Sequence, residues 1–430
     1  MGRSEDLIVD LAADAAGDAD RVGPKAANLA ALSRAGLPTP GGFCLTAGAY
    51  RLQIAQLGLT EKLQRFAHAS PQERRKLSVD IRLRLYEEPI APAILEPLVA
   101  AWEAQREESR GLGVVRSSAL IEDREDANFA GQFESFLGLS DADEMTTAVR
   151  ACWASLWTTN ARRYMENHDL DPAGTAMAVL IQPLVAARAS GGGLSETANG
   201  TMLLSATWGL GSAIAQGEVV PDRIVVDRNG KVLAIEAGRK DHSDGCSHGF
   251  GTISRPVPTA LVCEPSLSMA EAAELGRMML TAETACGGPV EIEWALGDDG
   301  LKLLQARPLH VQPPNVPDDI WLQHPGLNGH PAGIGWGTGR CVVIRCECEL
   351  SRVAPGDILV TRVAGPALSQ ILPRVSGVVT ELGGSTSHLA SLARERGIPM
   401  VLGVLGATRA IPDGAQVAVD GVAGIVRWIS

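Results

Sequence analysis

Residues 374–404, RVSGVVTELGGSTSHLASLARERGIPMVLGV, restrict the fold more than any other stretch of the chain. Val375, Val378 and Val379 are β-branched and read as a strand. Gly383-Gly384 turns the chain, and a hydroxyl pair, Thr386-Ser387, opens a helix. Leu389, Leu392 and Ala393 recur at helical spacing until Gly397 and Pro399 stop the helix, and Met400-Val401-Leu402 starts another strand. His388 is therefore expected in the first turn of a helix, behind a glycine loop. Free backbone N–H groups at such a place suit a phosphate. The positive helix end disfavours imidazolium and leaves an uncharged, nucleophilic nitrogen. On local features alone, this histidine reads equally well as a partial helix cap.

Residues 289–311 carry a second pattern. Val290-Glu291-Ile292-Glu293-Trp294 alternates, as does Leu303-Leu304-Gln305-Ala306-Arg307, and Asp298-Asp299-Gly300 supplies a turn with glycine at a left-handed position. That spacing predicts a hairpin in which Glu293 faces Gln305 and Glu291 faces Arg307, all four on one face. Two carboxylates, an amide and an arginine suit Mg²⁺ and a polyphosphate. The same face is equally what a solvated sheet with a cross-strand ion pair looks like.

Elsewhere the signals are weaker. Residues 7–11 read as a strand, and Gly23-Pro24-Lys25 leads into a short helix over 26–35. Lys25 there could reach a phosphate or lie on the surface. Residues 46–108 read as mainly helical. Arg116-Ser117-Ser118 ends a strand, and residues 128–132, NFAGQ, form a small-residue loop before a second strand at 135–137. One long helix is expected from Asp141 or Asp143 to about Asn167, with Trp153, Trp157 and Tyr164 inward. Gln182 lies in a strand over 177–185, and residues 190–200, rich in glycine and serine, are expected to be a loop. Asn229-Gly230 predicts a hairpin across 223–236, and residues 240–262 read as irregular. Residues 311–319, VQPPNVPDD, mark a domain boundary.

With 430 residues, two to four domains are expected. A net charge of −12 without a basic block argues against nucleic acid as the main partner. No apolar run is long enough to span a bilayer, and the first fifteen residues lack a signal-peptide core. The eight cysteines are scattered apart from Cys346-Glu347-Cys348, which leads to the expectation of a reduced, cytoplasmic chain. His242, Cys246 and His248 lack a known ligand spacing, so no metal is expected on them.

Together these motifs resemble the dikinase family: phosphoenolpyruvate synthase, pyruvate phosphate dikinase and the rifampin phosphotransferases. The matching text is GPKAANL at 23–29, VRSS at 115–118, FAGQ at 129–132, EIEW at 291–294 with LQARP at 304–308, and GGSTSH at 383–388 running on to ARERGIP at 393–399. The five motifs occur in the family's order over nearly the whole chain. The resemblance implies an α/β and α+β protein. An ATP-grasp-like domain would span about 1–312 (lobes 1–190 and 191–312), followed by a Pro-rich hinge at 313–325 and a small swivelling α/β phosphohistidine domain at 326–430. Mg-ATP would give its β-phosphoryl group to His388, releasing AMP and phosphate, and His388 would pass it to a small-molecule acceptor. The resemblance gives Lys25 and Arg116 to the ATP phosphates, and Gly131 and Gln132 to the loop over them. It places Gln182 near the adenine, Glu293 and Gln305 on Mg²⁺, and Arg307 on the developing charge. Gly384, Thr386 and Ser387 would form the histidine loop.

Two departures stand near the nucleotide. Ser212 follows Gly209-Leu210-Gly211 where the family has an acidic residue, and Ser190-Gly191-Gly192-Gly193-Leu194-Ser195 replaces the usual SGVMFT strand. Neither the pyruvate-binding barrel nor the drug-binding domain of the family is present in these residues. The acceptor is therefore left open. Alternatives are a phosphohistidine-forming half that serves a separate acceptor subunit, and a non-catalytic ATP-binding interaction protein.

Overall fold

The computed structural model describes residues 6–109, 111–122, 133–197, 199–246, 252–309, 321, 323–324, 326–363 and 365–429. The chain forms two compact units. One comprises Met1–Val185, Cys246–Ile253 and Lys302–Arg307; the other comprises Ala186–Gly245, Ser254–Leu301 and Pro308–Ser430. Gly131, Gln132 and nearly all of the expected hinge at 313–325 lie outside the described residues.

In the first unit, five antiparallel strands are ordered Ile8–Asp10, Phe43–Leu45, Met177–Pro183, Gly113–Ala119 and Ser135–Leu139. Four helices, Ala47–Gln56, Thr60–His68, Pro71–Glu87 and Pro92–Ser109, fill the region read as helical. The helix Ala19–Arg34 begins earlier than expected and is broken at Gly23, whose φ is 77°. Glycine is required there, because a Cβ would lie 2.3 Å from the Ser118 carbonyl oxygen. The single long helix expected over 141–167 is two, Ala142–Ser155 and Thr159–Asn167. The break has a local cause. Thr158 takes an extended conformation and its side chain caps the Ala161 N–H, while Trp157 Nε1 donates to Tyr50 Oη at 2.9 Å. Trp153, Trp157 and Tyr164 are buried, as their placement inward predicted.

In the second unit, residues 190–194 are not a loop. Ala189–Leu194 is a central strand between Val290–Gly297 and Met202–Trp208. Asp222–Val226 and Val232–Glu236 continue that sheet as the expected hairpin. Glycine weakens an isolated strand, which is why the sequence pointed to a loop, but here neighbours on both faces require it. A Cβ on Gly193 would meet Met279 Sδ at 2.5 Å, and one on Gly192 would meet the Thr386 side chain at 2.6 Å. The helix Met269–Cys286 therefore covers the Gly193 face. It starts with a capping box between Ser268 and Glu271 and ends at left-handed Gly287. The stretch read as irregular contains two strands, His242–Cys246 and Thr252–Pro256.

The same unit contains an eight-stranded sheet. Its order is Gly326–Asn328, Ile425–Ile429, Gln416–Asp420, Trp336–Ile344, Ile358–Thr361, Gly377–Thr380, Met400–Leu402 and His330–Pro331. Four successive strands, from Trp336–Ile344 to Met400–Leu402, run parallel. Their apolar runs, Val343, Val360, Val379 and Val401 among them, form a buried core. Cys346 and Cys348 are joined by a disulfide, where the sequence pointed to reduced thiols. Among the described residues, no helix is long and apolar enough to cross a membrane.

Candidate active site

Five of the residues singled out from the sequence lie in the first unit: Lys25, Arg116, Gln182, Gln305 and Arg307. Arg116 and Gln182 share one face of the five-stranded sheet, since Arg116 pairs with Leu180 and Val114 with Gln182. Arg116 Nη2 donates to Gln305 Oε1 at 2.8 Å, and its Nη1 donates to the Leu304 carbonyl at 3.1 Å. Gln305 is buried, and Arg307 is half-buried two residues on. Lys25 is not a surface lysine. Its Nζ donates to the Ser117 carbonyl at 2.8 Å and lies 3.4 Å from the Glu122 carboxylate. The Gln182 amide donates to the Gly41 carbonyl at 2.9 Å. Asn28 Nδ2, one turn along from Lys25, donates to the Ala306 carbonyl at 3.1 Å, a tie the sequence reading had not singled out. Arg116 and Gln305 thus meet from segments far apart in the chain, and Gln182 shares the sheet face of Arg116, polar groups of a kind suited to a polyanion.

In the second unit, Glu293 pairs across the sheet with Gly192, which pairs with Ser205, Arg223 and Glu236 in turn. Directly paired residues share a face, so this is one polar row interrupted by a glycine. Into that gap comes Thr386. The strand Gly377–Thr380 leads to Gly383, whose φ of 100° turns the chain. Gly383 N–H donates to the Val219 carbonyl at 2.9 Å. A Cβ on Gly384 would lie 2.4 Å from Pro221 Cγ, so glycine is needed for the loop to sit this close. Ser387 is the N-cap of the helix His388–Glu395 and accepts from the Ala390 N–H. His388 is the first helical residue and is exposed, in the position expected from the sequence. Ser385 Oγ, Thr386 Oγ1 and Ser205 Oγ are buried and find no hydrogen-bond partner among the described residues.

Two sets of ties were not assigned from the sequence. Glu291 accepts from Arg394 Nη2 at 2.8 Å and from Ser391 Oγ at 3.2 Å. Glu218, His242 and Asp244 bring one ligand atom each to within 4.8 Å of one another, a set that could hold a divalent cation. The sequence had pointed to Cys246 and His248 beside His242; the set instead joins His242 to Asp244, two residues on, and to Glu218, 24 residues earlier. Ser212, at the family's acidic position, donates to the Asp244 carboxylate.

An ATP-binding domain followed by a mobile domain that carries a loop-borne histidine is the class these elements define. Residues 19–321 match the model of the pyruvate phosphate dikinase AMP/ATP-binding domain, and residues 353–424 match the mobile domain of PEP-utilising enzymes. The chain belongs to this dikinase family of phosphotransferases. It is 32% identical over 464 residues to a phosphoenolpyruvate synthase of Aeropyrum pernix, covering 94% of this chain and 56% of that protein. It is 33% identical to a probable phosphoenolpyruvate synthase of Methanothermobacter thermautotrophicus (95% and 61%) and 31% identical to the phosphoenolpyruvate synthase of Escherichia coli (96% and 56%). The chain thus spans little more than half the length of these relatives.

Proposed function

We propose that the chain is an ATP-dependent, dikinase-type phosphotransferase that uses His388 as its phosphoryl carrier. The observation that carries this reading is the histidine loop. His388 is exposed at the start of a helix, behind a capped glycine turn, with buried hydroxyls beside it that find no partner among the described residues. A neutral imidazole nitrogen attacks the β-phosphorus of ATP as the α–β bridging bond breaks and AMP leaves. Water then cleaves the β–γ bond and phosphate departs. Lys25, Arg116 and Arg307 hold and neutralise the phosphates, and Gln182 lies by the adenine. Glu293 and Gln305 offer hard oxygen donors to Mg²⁺, which would screen phosphate charge. A swivel of the histidine domain about the 313–325 segment would carry the phosphoryl group onward. The relatives' name makes pyruvate the first acceptor to test.

The test is product analysis with Mg-ATP and pyruvate. AMP and phosphate should form in equal amounts, and His388→Ala should form neither while unfolding at the wild-type denaturant midpoint. Accumulation of ADP instead of AMP would overturn the mechanism.

A further inference from the structure

Within the second unit, the histidine loop and helix touch the six-stranded sheet, and the segment leading into its strand Asp222–Val226, at four points. Gly383 N–H bonds the Val219 carbonyl, Gly384 abuts Pro221, Thr386 fills the space above Gly192, and Glu291 holds Arg394 and Ser391. The last is a charged contact with almost no water: Glu291 is 6% exposed and Arg394 9%. Arg394 also donates from Nη1 to the carbonyls of Ser385, in the histidine loop, and Ala332. One guanidinium therefore ties the histidine loop to the strand Val290–Gly297, which bears Glu293 two residues beyond Glu291.

We infer that Glu291 and Arg394 form a docking latch, holding the histidine loop on the ATP-domain sheet for the first half-reaction, and that Glu291 is a positioning residue rather than a nucleotide ligand. The inference rests on the proposed role of His388. A buried pair of this kind binds tightly to its own partner and strands a charge when one side is lost, which gives a two-position switch rather than a graded one. Gly192 is the shape element of the same seat. The glycine run departs from the family's usual text at the place where Thr386 enters.

The test uses the full chain and Glu291→Gln, which keeps the side chain's size and removes its charge. Three quantities are measured: Mg-ATP dissociation constant, single-turnover labelling of His388 from β-labelled ATP, and hydrogen exchange along His388–Glu395. The latch predicts unchanged ATP affinity, labelling slowed by about tenfold or more, and faster exchange in that helix with the sheet still protected. Wild-type labelling and exchange would overturn it, and so would weakened ATP binding with unaltered exchange, which would make Glu291 a nucleotide-site residue. If the wild-type chain itself takes no label, the phosphohistidine reading fails, while the exchange data still decide whether Glu291 fastens the helix.

Discussion

His330 shows how a single buried residue can make stability depend on pH. Its ring packs against Gly403, close to the Gly383 carbonyl, and Nδ1 finds no partner among the described residues. Burial, reinforced by the Arg223 guanidinium and opposed by Asp222, pushes its pKa from 6.5 down to about 4. The unfolded chain thus binds a proton below pH 6.5 that the folded chain refuses until about pH 4. The stabilisation is complete above pH 6.5 and is lost as pH falls from 6.5 towards 4, by about 3 kcal/mol in all. Urea unfolding of wild type and His330→Gln across that range should show the slope in the wild type and its loss in the variant. Lys25 and Arg116 were legible as phosphate-site candidates from their motif context. Their partners, Glu122 and Gln305, were not assigned to them, because those ties are made only once the chain is folded.

At the scale of elements, the glycine strand Ala189–Leu194 is the clearest case of tertiary structure overriding local preference. Periodicity and propensity argue for a loop. The strand exists because two antiparallel neighbours pair with every one of its residues, and because both faces are crowded. A Cβ on Gly191 would stand 1.9 Å from the Ser205 carbonyl oxygen, whereas one on Gly288 would meet nothing within 4 Å. Gly191→Ala should therefore lower unfolding stability by about 2 kcal/mol or more, and Gly288→Ala should change it by less than about 0.5 kcal/mol. Denaturant midpoints of the two variants check this, and equal values would mean the strand tolerates a side chain. The helix His388–Glu395 was legible to its first residue, since its cap, apolar spacing and terminating Gly397 are all local. The break at Thr158 was not, because it depends on Trp157 reaching Tyr50, 107 residues away.

At the scale of the whole molecule, five short motifs in order sufficed to identify the dikinase family, and the family models match the same regions. What motif order does not carry is which charged groups serve ATP and which serve the histidine domain. Glu291 and Glu293 are adjacent on one strand face, yet Glu291 is bound to Arg394, 103 residues away. The central claim is that His388 receives the β-phosphoryl group of ATP. It is tested most directly by incubating the chain and Mg²⁺ with ATP labelled at either the β- or the γ-phosphate and mapping the modified peptide. The account predicts β label on His388, AMP in solution and γ label recovered as free phosphate. Label from the γ-phosphate on the protein without label from the β-phosphate, or ADP with an unmodified His388, would contradict it.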